Sequence, residues 1–91
     1  MKRYTYPAVV YRDDDDIMYA LSIDDLSLVT SGRTVEEAYE RALVQLQAYI
    51  GNSIFFEQEI PDASEFKDVY RIKPKNVVLL VSERINEKGR G

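Results

Sequence analysis

Apolar and polar positions follow two different periods along this chain. Over residues 4–31 the period is two, the signature of half-buried strands. In residues 4–11, Tyr4, Tyr6, Ala8 and Val10 point one way and Thr5, Pro7, Val9 and Tyr11 the other. Pro7 has no N–H to give to a ladder, so its place is an edge, a strand start or a bulge. Residues 17–23 repeat the pattern, with Ile17, Tyr19, Leu21 and Ile23 as a core face against Met18, Ala20 and Ser22. Asp24-Asp25 marks a turn or bulge. Residues 26–31 then predict a short third strand, with Leu28 and Thr30 facing away from Val29.

Beyond residue 34 the spacing lengthens to three and four. Val35, Ala38, Tyr39, Ala42, Leu43, Leu46, Tyr49 and Ile50 form one apolar stripe, the mark of an amphipathic helix lying on a sheet. Thr34 has the chemistry of an N-cap, and Glu37, three residues later, completes a capping box. Glu36 and Glu37 also complement the positive end of the helix dipole. Gly32 supplies the turn into the helix, and Gly51-Asn52 reads as its C-terminal stop.

The next stretch has no single period. Residues 64–70 predict one or two helical turns with Ser64 as cap. Phe55, Phe56, Phe66, Val69 and Tyr70 read as a cover over an exposed end of the core, or as an exposed aromatic cluster for a partner. Residues 77–82 form a fourth strand, and the aliphatic run Val77-Val78-Leu79-Leu80-Val81 predicts burial on both faces. If such a strand lies at an edge, it invites pairing with another chain. The expected fold is α+β: a three-stranded antiparallel meander, one long amphipathic helix and a fourth strand. One domain spans residues 1–84, and residues 85–91 are a polar tail.

Composition narrows the chemistry. The 91 residues contain no Cys and no His, with 16 acidic against 12 basic side chains and a net charge of −4. This removes disulfides, thiol nucleophiles, the usual zinc ligands and the usual neutral-pH base. Neither a cofactor nor a metal is expected. The acidic balance disfavours free nucleic acid and suits a basic protein partner. No apolar run approaches the roughly 20 residues of a membrane span, so a cytoplasmic location is expected.

The strongest charge feature is the run Asp13, Asp14, Asp15 and Asp16. It reads as a solvated hairpin tip, as an acidic patch for a basic partner, or as a divalent-cation loop. An EF-hand would need alternating ligands, a mid-loop Gly and a terminal Glu, and these are missing.

Several stretches taken in order resemble the HicB antitoxins. They are Tyr6-Pro7-Ala8-Val9-Val10-Tyr11, Met18-Tyr19-Ala20-Leu21, Asp25-Leu26, and Thr30-Ser31-Gly32-Arg33-Thr34-Val35-Glu36-Glu37-Ala38. The late Ile60-Pro61 and the strand at 77–81 also fit, so the likeness covers about residues 4–82. Three features depart from the family's usual pattern: Asp24 stands where Pro commonly precedes Asp-Leu, Ser27-Leu28 follows where a Gly is common, and the Asp run replaces a turn Gly. The resemblance implies a partial ribonuclease-H-like fold without enzymatic activity. It also implies an antitoxin of a type II system that neutralises a small basic HicA-type RNA-cleaving toxin.

Longer relatives carry a C-terminal DNA-binding module that these 91 residues have no room for, so direct DNA binding is not expected. On charge complementarity the partner-binding candidates are Asp13, Asp14, Asp15, Asp16, Tyr19, Asp24 and Asp25. A homodimer or higher homo-oligomer is expected, with the fourth strand and the Phe55 segment as candidate surfaces. Two other functions remain open: a stand-alone adaptor without a toxin, and a metal-dependent nuclease, which would need several converging carboxylates.

Overall fold

The period-two stretches become strands and the longer-period stretch becomes a helix. The computed structural model describes residues 2–12, 18–72 and 75–85. Strand β1 (Lys2–Arg12) is followed by β2 (Tyr19–Ile23), a 3-10 turn (Asp24–Leu26), β3 (Leu28–Gly32), helix α1 (Val35–Phe55), helix α2 (Phe66–Ile72) and β4 (Val77–Ile85). The strands form one four-stranded sheet in the order β3-β2-β1-β4, and every neighbouring pair is antiparallel. The expected α+β class, the meander and the fourth strand are all present. Ile17 and the residues of the tail beyond Ile85 lie outside the described residues.

The core is the layer between the sheet and α1. Tyr4, Tyr6, Ala8 and Val10 of β1, Leu21 and Ile23 of β2 and Val81 of β4 face Ala38, Ala42, Leu46 and Ile50 of α1, all buried. Val35, Tyr39, Leu43 and Tyr49 flank that stripe, so each residue of the expected apolar face packs on the sheet. Thr34 caps α1 by accepting the Glu37 N–H at 3.0 Å. The Glu37 carboxylate reaches back one residue further than a standard capping box, to the Arg33 N–H.

The backbone joining β3 to α1 is very close to the helix. A Cβ on Gly32 would lie 2.6 Å from the Ala38 nitrogen and 2.9 Å from the Glu37 Cβ. Lack of space, more than backbone freedom, is what demands glycine there. Thr30 Oγ1 donates to the Ala38 carbonyl at 2.8 Å across the same seam.

Four expectations need correction. First, α1 does not stop at Gly51-Asn52 but runs through Phe55. Ile50, in the core, and Ser53 are still buried, and that burial outweighs the helix cost of Gly51, about 1 kcal/mol. The stop comes at Glu57, at φ 54°. Glu57 N–H bonds the Ile54 carbonyl and Gln58 N–H the Ser53 carbonyl, a Schellman cap with a glutamate where glycine is usual.

Second, Leu26 belongs to the 3-10 turn and not to β3. Third, β4 is not buried on both faces: Val81 is fully buried, but Val77 and Leu80 are 61% and 47% exposed. Fourth, Ser64 does not cap α2 but bonds Asp25.

Pro7 sits in an inner strand without cost for a local reason. β1 pairs with β2 only from Val9 to Arg12, whereas its pairing with β4 runs from Lys2 to Val10. At Pro7 the β2 side is therefore a local edge, which satisfies the sequence rule within a central strand.

Candidate functional site

The second face of the sheet carries the odd-numbered residues of β1 and their cross-strand partners. Val9 lies opposite Ser22 and Val78, and Pro7 opposite Leu80. α2 covers only part of this face. Val69 and Ile72 line a cleft with Pro7, Val9, Asp24, Asp25 and Ser64, and Val9 beneath is fully buried. At the strand ends nearer Lys2, polar contacts replace apolar cover: Thr5 Oγ1 and Ser82 Oγ share a hydrogen bond of 2.8 Å, and Arg3 donates to Ser82 at 3.0 Å.

α2 is seven residues long and has no buried side chain. A helix this short is not stable alone, so its placement depends on how its leading segment is held. Two contacts hold that segment. Asp25, in the 3-10 turn, accepts both the Ser64 N–H at 2.9 Å and the Ser64 hydroxyl at 2.6 Å. Tyr6, from the core face, donates its hydroxyl to the Pro61 carbonyl at 2.7 Å. Burial raises the Tyr6 phenol above its ordinary value of 10.0, and the nearby charges of Asp25, Tyr49 and Asp62 add to the shift. The phenol thus stays protonated and keeps donating.

The sequence-predicted site residues fall into separate places. Asp13, Asp14, Asp15 and Asp16 lie outside the described residues. Tyr19 opens β2 on the core side, with the Arg12 guanidinium 5.5 Å from its ring centre. Asp24 and Asp25 follow the far end of β2, about 16 Å from Tyr19 along a five-residue strand. Asp24 accepts the Ser22 hydroxyl, and Asp25 is the anchor for Ser64. The structure therefore does not bring Tyr19 together with Asp24 and Asp25. Among the described residues, no three Asp or Glu side chains converge as metal ligands would.

A different set of residues is brought to the surface. Phe55 and Phe56 are 61% and 64% exposed, with rings edge to face at 5.0 Å. Phe66 and Tyr70 stack at 6.3 Å on α2 and are also exposed, as is Ile72. The expectation that this group covers the core is thus overturned for Phe55, Phe56, Phe66 and Tyr70, which are presented to solvent, while Val69 is half-buried. The signal available in the sequence was the absence of any period in this stretch. Apolar residues without a period have no face to turn inward. Exposed aromatic and aliphatic groups in this number mark an interaction surface more often than chance. Among the described residues, no helix is long and apolar enough to cross a membrane.

The fold has close counterparts among solved structures. The chain superposes on the crystal structure of the Burkholderia pseudomallei antitoxin HicB with a TM-score of 0.74 at 20% identity, covering 90% of this chain and 70% of that one. It superposes equally on the crystal structure of the N-terminal domain of the same antitoxin, at 19% identity, covering 89% of this chain and 99% of that domain. A toxin–antitoxin complex from Streptococcus pneumoniae contains a chain that matches with a TM-score of 0.74 at 21% identity, covering 96% of this chain and 71% of that one. No protein-family model matches the sequence, and no curated protein matches it significantly. At these identities the likeness establishes the fold: this chain is built like the N-terminal domain of HicB.

Proposed function

We propose that the chain is an antitoxin: a binding protein, not an enzyme, that neutralises a small basic RNA-cleaving toxin of the HicA type. The observation that carries this reading is the match, over nearly the whole chain, to an antitoxin domain and to a chain of a toxin–antitoxin complex. The sequence resemblance, drawn from different features, leads to the same family. A toxin acting on RNA would place the pair in the cytoplasm.

The charge pattern of the sequence and the exposed residues of α2 support a physical division of labour. The acidic side chains Asp13 to Asp16, with Tyr19 near them along the chain, steer a basic toxin and exclude wrong partners. Asp24 contributes charge at the other end of β2. Asp25 acts indirectly, by fixing the segment that leads into α2. Affinity rests on the exposed Phe66, Tyr70 and Ile72 of α2, because buried aromatic anchors carry most of the energy of an interface. The antitoxin also self-associates, which multiplies its contacts with toxin.

The experiment is co-expression with the neighbouring reading frame for a small basic protein, then capture of the tagged chain. A stable complex that relieves growth arrest supports the proposal. A partner that neither co-purifies nor loses toxicity refutes it.

A further inference from the structure

We infer that the free edge of β4 pairs with β4 of a second copy, antiparallel and with a two-fold axis at Leu79, so that two four-stranded sheets join into one. Among the described residues β4 is a terminal strand of the sheet, paired on one side only. Proteins that must stay monomeric guard such edges with charges, Pro, bulges or short strands. β4 has none of these in its first half: it is nine residues long and opens with five aliphatic residues in succession. The opposite edge, β3, is five residues long and reads Leu-Val-Thr-Ser-Gly. It is the short, half-polar edge expected of a guarded one.

The occupant is identified by self-complementarity. An antiparallel two-fold pair sets residues at equal distances on either side of the axis against each other. With the axis at Leu79, Val78 meets Leu80, Val77 meets Val81, and Leu79 meets its own copy. The first charges beyond the aliphatic run are Lys75 on one side and Glu83 on the other, each four residues from Leu79. Lys75 stands in the turn two residues before β4; carried two residues into that turn, the same register sets each Lys75 across from the second copy's Glu83, once at either end. Moving the axis to Leu80 would put Glu83 against Val77, and moving it to Val81 would put Glu83 against Leu79. Only the Leu79 register matches apolar with apolar and opposite charge with opposite charge. This inference rests on the proposed self-association and adds its surface and register.

The test is sedimentation equilibrium on the full chain and on Lys75→Glu, Glu83→Lys and the double exchange. Dimers are expected for the unaltered chain. Each single reversal creates two like-charge cross-strand pairs and raises the dimer dissociation constant about tenfold, and the double exchange restores it. Because the chain contains no cysteine, Leu79→Cys gives a second readout: oxidation links two copies at the axis. Dimers that ignore both reversals and do not cross-link overturn the β4 register while leaving self-association standing. A monomer at the highest soluble concentration overturns both. A monomer whose toxin capture is lost on Leu80→Lys assigns the edge to the toxin instead.

Discussion

The two faces of the sheet are made by the same strands, yet they end in opposite conditions. Under α1, Tyr4, Tyr6, Ala8, Val10, Leu21, Ile23 and Val81 are all buried, and exposure returns only toward the strand end, at Val77 opposite Val10. On the other face a seven-residue helix covers Val9 and little else, and Phe66, Tyr70, Ile72 and Leu80 remain open to solvent. A long helix with a continuous stripe closes its face. A short one without buried residues leaves apolar surface available. The difference separates the work of folding, done on the α1 side, from the recognition proposed for the other.

That separation predicts opposite outcomes for equally apolar truncations. Leu46→Ala, at a fully buried position of α1, should lower unfolding free energy by about 3 kcal/mol, measured by urea denaturation, with toxin contacts otherwise unaltered. Tyr70→Ala, on an exposed site, should change stability by under about 1 kcal/mol but weaken toxin binding tenfold or more by calorimetry. If Tyr70→Ala destabilises as much as Leu46→Ala, the two faces are not divided in this way.

Gly32→Ala tests the seam that holds α1 on its face. Its new methyl meets backbone at 2.6 Å, which cannot swing aside, so a loss of about 2 kcal/mol is expected. The prediction fails if the variant melts with the parent.

Tyr6 connects the two faces, since its ring is in the core and its hydroxyl holds the segment leading to α2. Tyr6→Phe should cost about 1 kcal/mol and increase amide exchange around residues 58–72 more than in α1. The phenol is harder to ionise in the folded state than in the unfolded chain. The folded protein therefore holds more protons once pH passes about 10, and stability falls as pH rises above that value. Tyr6→Phe should flatten this alkaline loss in a pH series of urea midpoints.

The smallest effect concerns the end of α1. Glu57 occupies left-handed backbone at φ 54°, so Glu57→Gly should stabilise by roughly 0.5–1 kcal/mol, read as a raised melting temperature. A lowered one would mean that the glutamate side chain supplies more than the backbone loses.

What the sequence reveals follows the same division. The strands and the stripe of α1 are legible because one buried face imposes a period, and Tyr4 through Val10 and Val35 through Ile50 obey it. The end of α1 is not legible at Gly51, because burial of Ile50 and Ser53 carries the helix past a weak stop. The exposed aromatics are not legible because a hydrophobic residue without a period gives no sign of which side it faces. Asp25 reads in the sequence as surface charge. Only the fold reveals Ser64, 39 residues away, as its partner. The acidic run gives a charge argument but no geometry, so the candidate site was visible as chemistry and not as a place.

The central claim is neutralisation, and the direct measurement is RNA cleavage by the purified basic partner as this chain is titrated in. The account predicts that cleavage falls linearly and ends near equimolar chain, while Tyr70→Ala requires a clear excess. Undiminished cleavage in the presence of a saturating, folded chain would contradict it.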